Sequence, residues 1–210
     1  MADLFDDLPP GFAHRPLWPV EQQRLAVAEL RAVVAAAPLY TPAMPRTGKP
    51  FSVRMTNCGP LGWVSDRDGY RYQPTHPVTG QPWPPIPPML LAVWQAVSGY
   101  PHPPEACLIN YYGAEAKLGL HQDADEAATD APVVSLSLGD DCRFRLGGLS
   151  RSGPTRALRL VSGDLVVLGG ASRMAFHGVD RIYAGTSTLL RDWFPAGGRI
   201  NVTLRRVTRP

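Results

Sequence analysis

The spacing of hydrophobic positions changes character near residue 105. Before that point two stretches carry the three-to-four spacing of an amphipathic helix. The first runs from about Pro19 to Ala37, with Leu30, Val33, Val34 and Ala37 on one face and Pro19 suited to a first-turn position. The second begins near Pro87 and ends before Gly99; Ile86, Leu90, Val93, Trp94 and Val97 form its stripe, and Gly99 and Pro101 stop it. After residue 105 the chain alternates with the period of two that a pleated strand requires. Strands are predicted at Ala106–Tyr112, Val133–Leu138, Arg143–Leu146, Ala157–Val161, Asp164–Leu168, Met174–His177 and Arg199–Arg206. Short strands bounded by Gly and Asp turns predict a mainly β fold, a double-sheet barrel or jelly roll, with N-terminal helices buttressing one face.

Composition changes this picture little. The 210 residues suit a single domain, with the predicted helices in residues 1–105 and the β core in 106–210. The 23 Pro and 20 Gly fit short strands joined by turns. No apolar run is long enough to span a membrane, and the acidic Met1–Asp7 stretch lacks the basic and apolar regions of a secretory signal. Cys58, Cys107 and Cys142 form no Cys-x-x-Cys pair, which predicts free thiols and a cytosolic setting. The net charge of +3 arises wholly in residues 106–210, which permits attraction to phosphates without requiring it.

Chemistry enters with His121-Gln122-Asp123 and, 54 residues beyond Asp123, His177 in Phe176-His177-Gly178. A lone His-x-Asp is a weak motif, more often a turn histidine bonded to an aspartate. Two imidazoles and one carboxylate on one face of an octahedron leave three positions open, the arrangement of non-haem Fe(II) oxygenases. In an extended segment His121 and Asp123 point the same way and can reach one metal. Further along, Arg199, Asn201, Thr203 and Arg205 share one face of a strand, opposite Ile200, Val202 and Leu204. Two arginines and an amide in line fit a dicarboxylate, since guanidinium binds carboxylate in bidentate fashion. Asn110 and Tyr112 share a face of Ala106–Tyr112 and offer an amide and a phenol to a small carboxylate ligand.

The ordered blocks now on view identify a resemblance. Met55–Gly59, Leu61-Gly62-Trp63, Gly69–Tyr72, Ala106–Asn110, Leu120–Glu126, Val134–Gly139, Phe144–Gly148, Gly163-Asp164, Phe176–Gly178 and Arg199-x-Asn201-x-Thr203-x-Arg205 resemble the AlkB family of Fe(II)- and 2-oxoglutarate-dependent dioxygenases, from about Asp3 to Arg206. The resemblance implies a double-stranded β-helix (a cupin-like core) with Fe(II) held by His121, Asp123 and His177. It implies 2-oxoglutarate at Asn110, Tyr112, Arg199, Asn201 and Arg205, with Tyr111 also in the candidate set, and O₂ as the second co-substrate. Arg199 is assigned to the distal carboxylate and Arg205 to the side nearer the metal.

The same resemblance implies that Trp63, Tyr70, Arg71 and Tyr72 cover a flipped base and its phosphates, that Asp125 lies beside the alkylated base, and that Arg151 lies at the substrate edge. The implied activity is oxidative dealkylation of 1-methyladenine and 3-methylcytosine lesions in DNA, single-stranded DNA preferred and RNA as a further substrate, by a monomer. The competing readings are the same iron chemistry on RNA, protein or a small molecule, and a β-helix module that binds without turnover. One departure from the family pattern is a longer connection between His177 and Arg199, including Asp192–Gly198, expected as a surface loop with its tip within reach of substrate.

Overall fold

The computed structural model describes residues 10–210, and the acidic Met1–Asp7 stretch lies outside the described residues. In chain order the elements are β1 (Phe12–Pro16), α1 (Val20–Ala36), β2 (Arg54–Cys58), β3 (Gly62–Asp66), β4 (Gly69–Gln73), α2 (Pro88–Val97) and β5 (Ala106–Tyr112). They continue with β6 (Leu118–His121), β7 (Val133–Gly139), β8 (Asp141–Gly147), β9 (Thr155–Leu160), β10 (Asp164–Leu168), β11 (His177–Tyr183) and β12 (Arg199–Arg205). A major sheet takes the order β1-β10-β7-β12-β5-β2 and a minor sheet the order β6-β11-β8-β9, while β3 and β4 form a separate hairpin. From β5 onward the chain passes back and forth between the two sheets. That path is the jelly-roll core expected from the sequence.

The major sheet is apolar on one face because its strands alternate. Cys107 and Ile109 of β5, Val134, Leu136 and Leu138 of β7, and Ile200, Val202 and Leu204 of β12 pack with Leu30 and Val33 of α1 and with Leu90, Val93 and Trp94 of α2. Burying each large aliphatic side chain there contributes about 1.5–3 kcal/mol. The helices therefore exist to cover this face. The other face looks between the sheets, where Met55, Leu108, Tyr112, Phe144, Leu146 and Val179 pack. Residues 199, 201, 203 and 205 of β12 interleave with its helix-facing apolar residues, so they must point inward.

The structure moves several sequence-based boundaries. The strand expected at Met174–His177 instead starts at His177 and runs on to Tyr183. The preceding backbone turns through a short 3₁₀ segment, Gly170–Ser172, and Arg173 is pinned by hydrogen bonds to the carbonyls of Ala131 (2.8 Å) and Asp123 (2.7 Å). The helix stripe of α1 is Gln23, Ala26, Val27, Leu30 and Val33, which extends about two turns toward the N-terminus of the expected face. Strands β1, β2, β3, β4 and β6 had no clear apolar alternation to announce them. In β2 the buried residues include Thr56 and Asn57, satisfied by the carbonyls of Ala37 (2.8 Å) and Trp63 (2.9 Å) rather than hidden by hydrophobicity. Among the described residues no helix is long and apolar enough to cross a membrane.

Candidate active site

One cavity of about 860 Å³ opens between the sheets. Its lining includes Asn110, Tyr112, His121, Asp123, His177, Arg199, Asn201 and Arg205, and toward the hairpin Trp63, Tyr70, Asp125 and Arg151.

The metal-ligating geometry follows from strand register. His121 ends β6 and pairs directly with His177, the first residue of β11, so the rings share a face with centroids 4.5 Å apart. Gly178 permits that approach: a Cβ there would stand 2.6 Å from the Leu118 carbonyl oxygen. Nδ1 of His121 lies 2.9 Å from the Gly119 carbonyl and Nδ1 of His177 lies 3.0 Å from the Ala175 carbonyl. Each Nδ1–H thus donates to backbone and leaves Nε2 with its lone pair free for a metal. Oδ1 of Asp123 is 3.8 Å from His121 Nε2 and Oδ2 is 3.9 Å from His177 Nε2. Asp123 lies beyond the end of β6, so strand pleat does not aim it as the sequence suggested. Arg205 donates to its Oδ2 at 2.8 Å and Arg173 to its carbonyl at 2.7 Å, and these two guanidiniums hold it in place.

Electrostatics suit metal binding. Burial would raise the Asp123 carboxyl, but Arg205, His177, His121 and Arg173 outweigh it and hold the group well below the usual carboxylate range. Burial pushes His177 down to about 4, with the His121 ring adding to the effect. At neutral pH the triad is therefore a carboxylate and an unprotonated His177, the forms that ligate a divalent cation. The donor atoms of the three side chains all lie within 4.8 Å of one another. The set fits Fe(II): two imidazoles and a carboxylate on one side, with the cavity on the other.

The residues also fit a dicarboxylate. Arg199 is 1% exposed, yet no carboxylate among the described residues pairs with it. Nη2 donates to the Ser137 hydroxyl at 2.6 Å and Nη1 meets the Asp140 carbonyl at 3.5 Å, while Nε has no partner. A buried cation without an anion is costly, and a ligand carboxylate would satisfy it. Asn110 Oδ1 and Arg205 Nε are likewise buried without hydrogen bonds. Burial raises the Tyr112 phenol above its ordinary range, so it stays a neutral donor. Asn201 donates to Ser135 Oγ at 2.6 Å and to the Leu136 carbonyl at 3.1 Å, which fixes its amide on the cavity side of β12.

The hairpin supplies an aromatic wall. Trp63 stacks on Tyr70 with centroids 5.5 Å apart and planes 18° from parallel, and its indole N–H donates to Asp125 Oδ2 at 2.7 Å. Arg151 lies at the rim, its guanidinium 6.0 Å from the Phe176 ring centre.

Three sequence-based candidates are not brought into this cavity. Tyr111 points to the opposite face of β5, where its ring stacks on Phe194 at 4.0 Å and its hydroxyl donates to the Gly197 carbonyl at 3.0 Å. The alternation that aims Asn110 and Tyr112 inward forces this. Arg71 turns away to a double hydrogen bond with Asp66, both contacts 2.8 Å. Tyr72 lies behind the cavity wall, donating to Glu126 and accepting from Arg205 Nη1 at 3.3 Å. The 192–198 segment also differs from expectation: Trp193 and Phe194 pack on the helix-covered core, and Arg31 of α1 sits 5.7 Å from the Trp193 ring centre.

Sequence reasoning missed Glu126 and Arg173. Glu126, almost fully buried, accepts from Arg173 Nη2 at 3.0 Å and from the Tyr72 hydroxyl, and lies 3.5 Å from Arg205 Nε. It joins the hairpin to the two arginines that hold Asp123. The signal was its place three residues past the His-x-Asp motif in a matched block; Arg173 carried none.

A family model, the 2OG-Fe(II) oxygenase superfamily, matches residues 11–205. An alpha-ketoglutarate-dependent dioxygenase AlkB homolog of Caulobacter vibrioides is 50% identical over 201 residues, covering 94% of this chain and 88% of that protein. The chain belongs to the AlkB family of Fe(II)- and 2-oxoglutarate-dependent dioxygenases. As an AlkB dioxygenase it takes Fe(II), 2-oxoglutarate and O₂. The solved structure of OsALKBH1 superposes with a TM-score of 0.77 at 30% identity, covering 95% of this chain and 99% of that one. Shorter stretches resemble the DNA N(6)-methyladenine demethylase ALKBH1C of Arabidopsis thaliana (39% over 109 residues, 49% of this chain and 24% of that protein). They also resemble the tRNA demethylase abh1 of Schizosaccharomyces pombe (38% over 110 residues, 49% of this chain and 36% of that protein).

Proposed function

We propose that this dioxygenase removes alkyl groups from nucleic-acid bases by oxidising the carbon attached to nitrogen. The observation that carries the reading is a single cavity holding the His121-Asp123-His177 triad, the unpaired Arg199 guanidinium and the Trp63–Tyr70–Asp125 wall. Relatives named as a DNA demethylase and a tRNA demethylase support a nucleic-acid substrate.

Arg199 and Asn201 would take one carboxylate of 2-oxoglutarate, and Asn110 and Arg205 the side near the metal, where Arg205 already touches Asp123. When bound, Fe(II) with 2-oxoglutarate and O₂ supplies the oxidation: decarboxylation to succinate and CO₂ is coupled to hydroxylation of the alkyl carbon, and the hemiaminal product releases formaldehyde. The chain positions the groups and excludes water. Reaching the cavity requires the base to leave its stack, which costs a few kcal/mol and less where an alkyl group already prevents pairing. Trp63 and Tyr70 give the extruded base an aromatic surface. Asp125, held through Oδ2 by the indole, would favour bases that carry a ring cation, such as 1-methyladenine and 3-methylcytosine. The preferred substrate in this reading is single-stranded DNA, with RNA second. The enzyme acts as a monomer in the cytosol, a setting that suits its three buried free thiols.

The test is formaldehyde release from single-stranded DNA and RNA carrying either lesion, with Asp123→Ala as the inactive control. Release from DNA, lost in the variant, is the expected result. Turnover of 2-oxoglutarate without formaldehyde from either polymer would leave the oxygenase standing and remove base dealkylation.

A further inference from the structure

The outward face of the minor sheet carries three arginines in direct register. Arg143 of β8 stands opposite Arg159 of β9 on one side and Arg181 of β11 on the other, and all three are exposed. Their inward neighbours Cys142, Phe144, Leu160 and Ile182 are buried, so the row belongs to the solvent face. Like charges placed directly across strands repel, so cross-strand pairing does not account for the row. The acids available are already engaged: Asp141 pairs with Arg159 at 2.8 Å and Asp180 with Arg145 at 2.8 Å. Among the described residues no carboxylate lies within ion-pair distance of Arg143 or Arg181. Tyr183 braces the outer pair, its ring centre 5.0 Å from the Arg159 guanidinium and 5.5 Å from that of Arg181.

The row lies on the outer side of strands that line the cavity, since Phe144 and Leu160, the inward neighbours of Arg143 and Arg159, both line it. Leu146 pairs with the metal-ligating His177, and Arg143 is three residues back along β8, about 10 Å away. The turn after β8 carries Arg151, which lines the cavity. Phosphates of one strand of a duplex are spaced by about 3.4 Å along the axis and those of an extended single strand by more, so a flanking stretch of a few nucleotides can span this distance.

We propose that Arg143 and Arg181, with the Asp141-paired Arg159 beside them, form a second contact for nucleic acid, binding backbone phosphates of the stretch that flanks the base in the cavity. The proposal rests on the nucleic-acid reading above and extends it to substrate length. The row neutralises phosphates without reading bases, so its contribution is salt-dependent and independent of sequence.

The experiment compares the wild type with the double variant Arg143→Gln/Arg181→Gln by fluorescence anisotropy on labelled, methylated single-stranded DNA. Oligomers of about five and about twenty nucleotides are titrated across a salt series; two lost phosphate contacts should lower the slope of log affinity against log salt by about 1.4. Affinity for the longer oligomer should fall about ten-fold at low salt, that for the shorter should hold, and Tm should stay level or rise as the repulsion is relieved. An unchanged slope on the longer oligomer, an equal loss on both lengths, or a lowered Tm with equal slopes would overturn the proposal. Formaldehyde release from the shorter oligomer reads the dealkylation assignment separately, so its absence sinks that reading while the anisotropy still judges the row.

Discussion

Replacing Arg199 by Met keeps most of the side-chain volume and removes the charge. The structure assigns two opposite consequences to that change. In the ligand-free protein the guanidinium is 1% exposed, holds two hydrogen bonds, one of them at 3.5 Å, and pairs with no carboxylate among the described residues. Exchanging buried ionic groups for apolar residues of similar volume is often neutral or stabilising by about 1–4 kcal/mol. At about 2–4 °C per kcal/mol for a chain of this size, Tm of the ligand-free variant should hold or rise by several degrees. With 2-oxoglutarate the balance reverses. Two charge-assisted hydrogen bonds to a carboxylate, at about 1.5–3 kcal/mol each, are lost, so affinity should fall by roughly two to four decades. Succinate formation against 2-oxoglutarate concentration measures the KM, and thermal melts with and without 2-oxoglutarate measure the linkage. A variant that melts lower yet keeps its KM would show that Arg199 is a structural cation, and the site assignment would fall.

Three further outcomes follow from the same geometry. Trp63→Ala should cost about 1–3 kcal/mol of base stacking, a ten- to hundred-fold rise in KM for methylated oligonucleotide, and leave uncoupled 2-oxoglutarate turnover intact; equal loss of both would place Trp63 in the fold instead. Glu126→Ala strands Arg173 in a buried site, so a loss of about 3–5 kcal/mol and a Tm lower by roughly 10 °C are expected from melting curves, and a drop within about 2 °C would refute the network. In the metal-free protein burial holds His177 down to about 4, against about 6.5 in the unfolded chain. Between those values the unfolded chain binds a proton that the folded one refuses, so stability is full above about pH 6.5 and falls as pH drops toward about 4. Melting temperatures of the metal-free protein across that window check the slope, and a flat profile counts against it.

What could be read from the chain was whatever its alternation exposed. Strands β5 and β10 fall where the pattern put them, and β12 ends within one residue of it, because each presents apolar residues at every second position to a helix layer or a second sheet. The triad was legible only in company: a weak His-x-Asp gained meaning from the Arg199–Arg205 strand and from the ordered blocks around it. Other parts depend on polar partners that periodicity does not mark. Asn57 looks like a turn residue until Trp63 is seen to accept and return its hydrogen bonds at 2.9 and 3.0 Å. Tyr72 and Tyr70 look like one aromatic pair, yet Glu126, 54 positions away from Tyr72, draws Tyr72 behind the wall. Arg71 meets a local acid, Asp66, across its own hairpin turn, a pairing that competes with any phosphate. Sequence spacing records periodicity well and polar pairing poorly, whether the partner is five residues away or about fifty.

The central strand β12, paired on both sides by β5 and β7, makes the fold its own proofreader. A slip of one residue would turn Arg199 and Arg205 into the helix-packed apolar layer and expose Ile200, Val202 and Leu204 to the cavity. Two unpaired cations in that layer would each cost several kcal/mol, a large share of what keeps a domain folded. A chain with β12 out of register is therefore driven to unfold rather than persist as a compact, defective enzyme. Folded molecules carry an assembled co-substrate pocket, and inactive fractions in a folded preparation point to missing iron rather than to misthreaded chains.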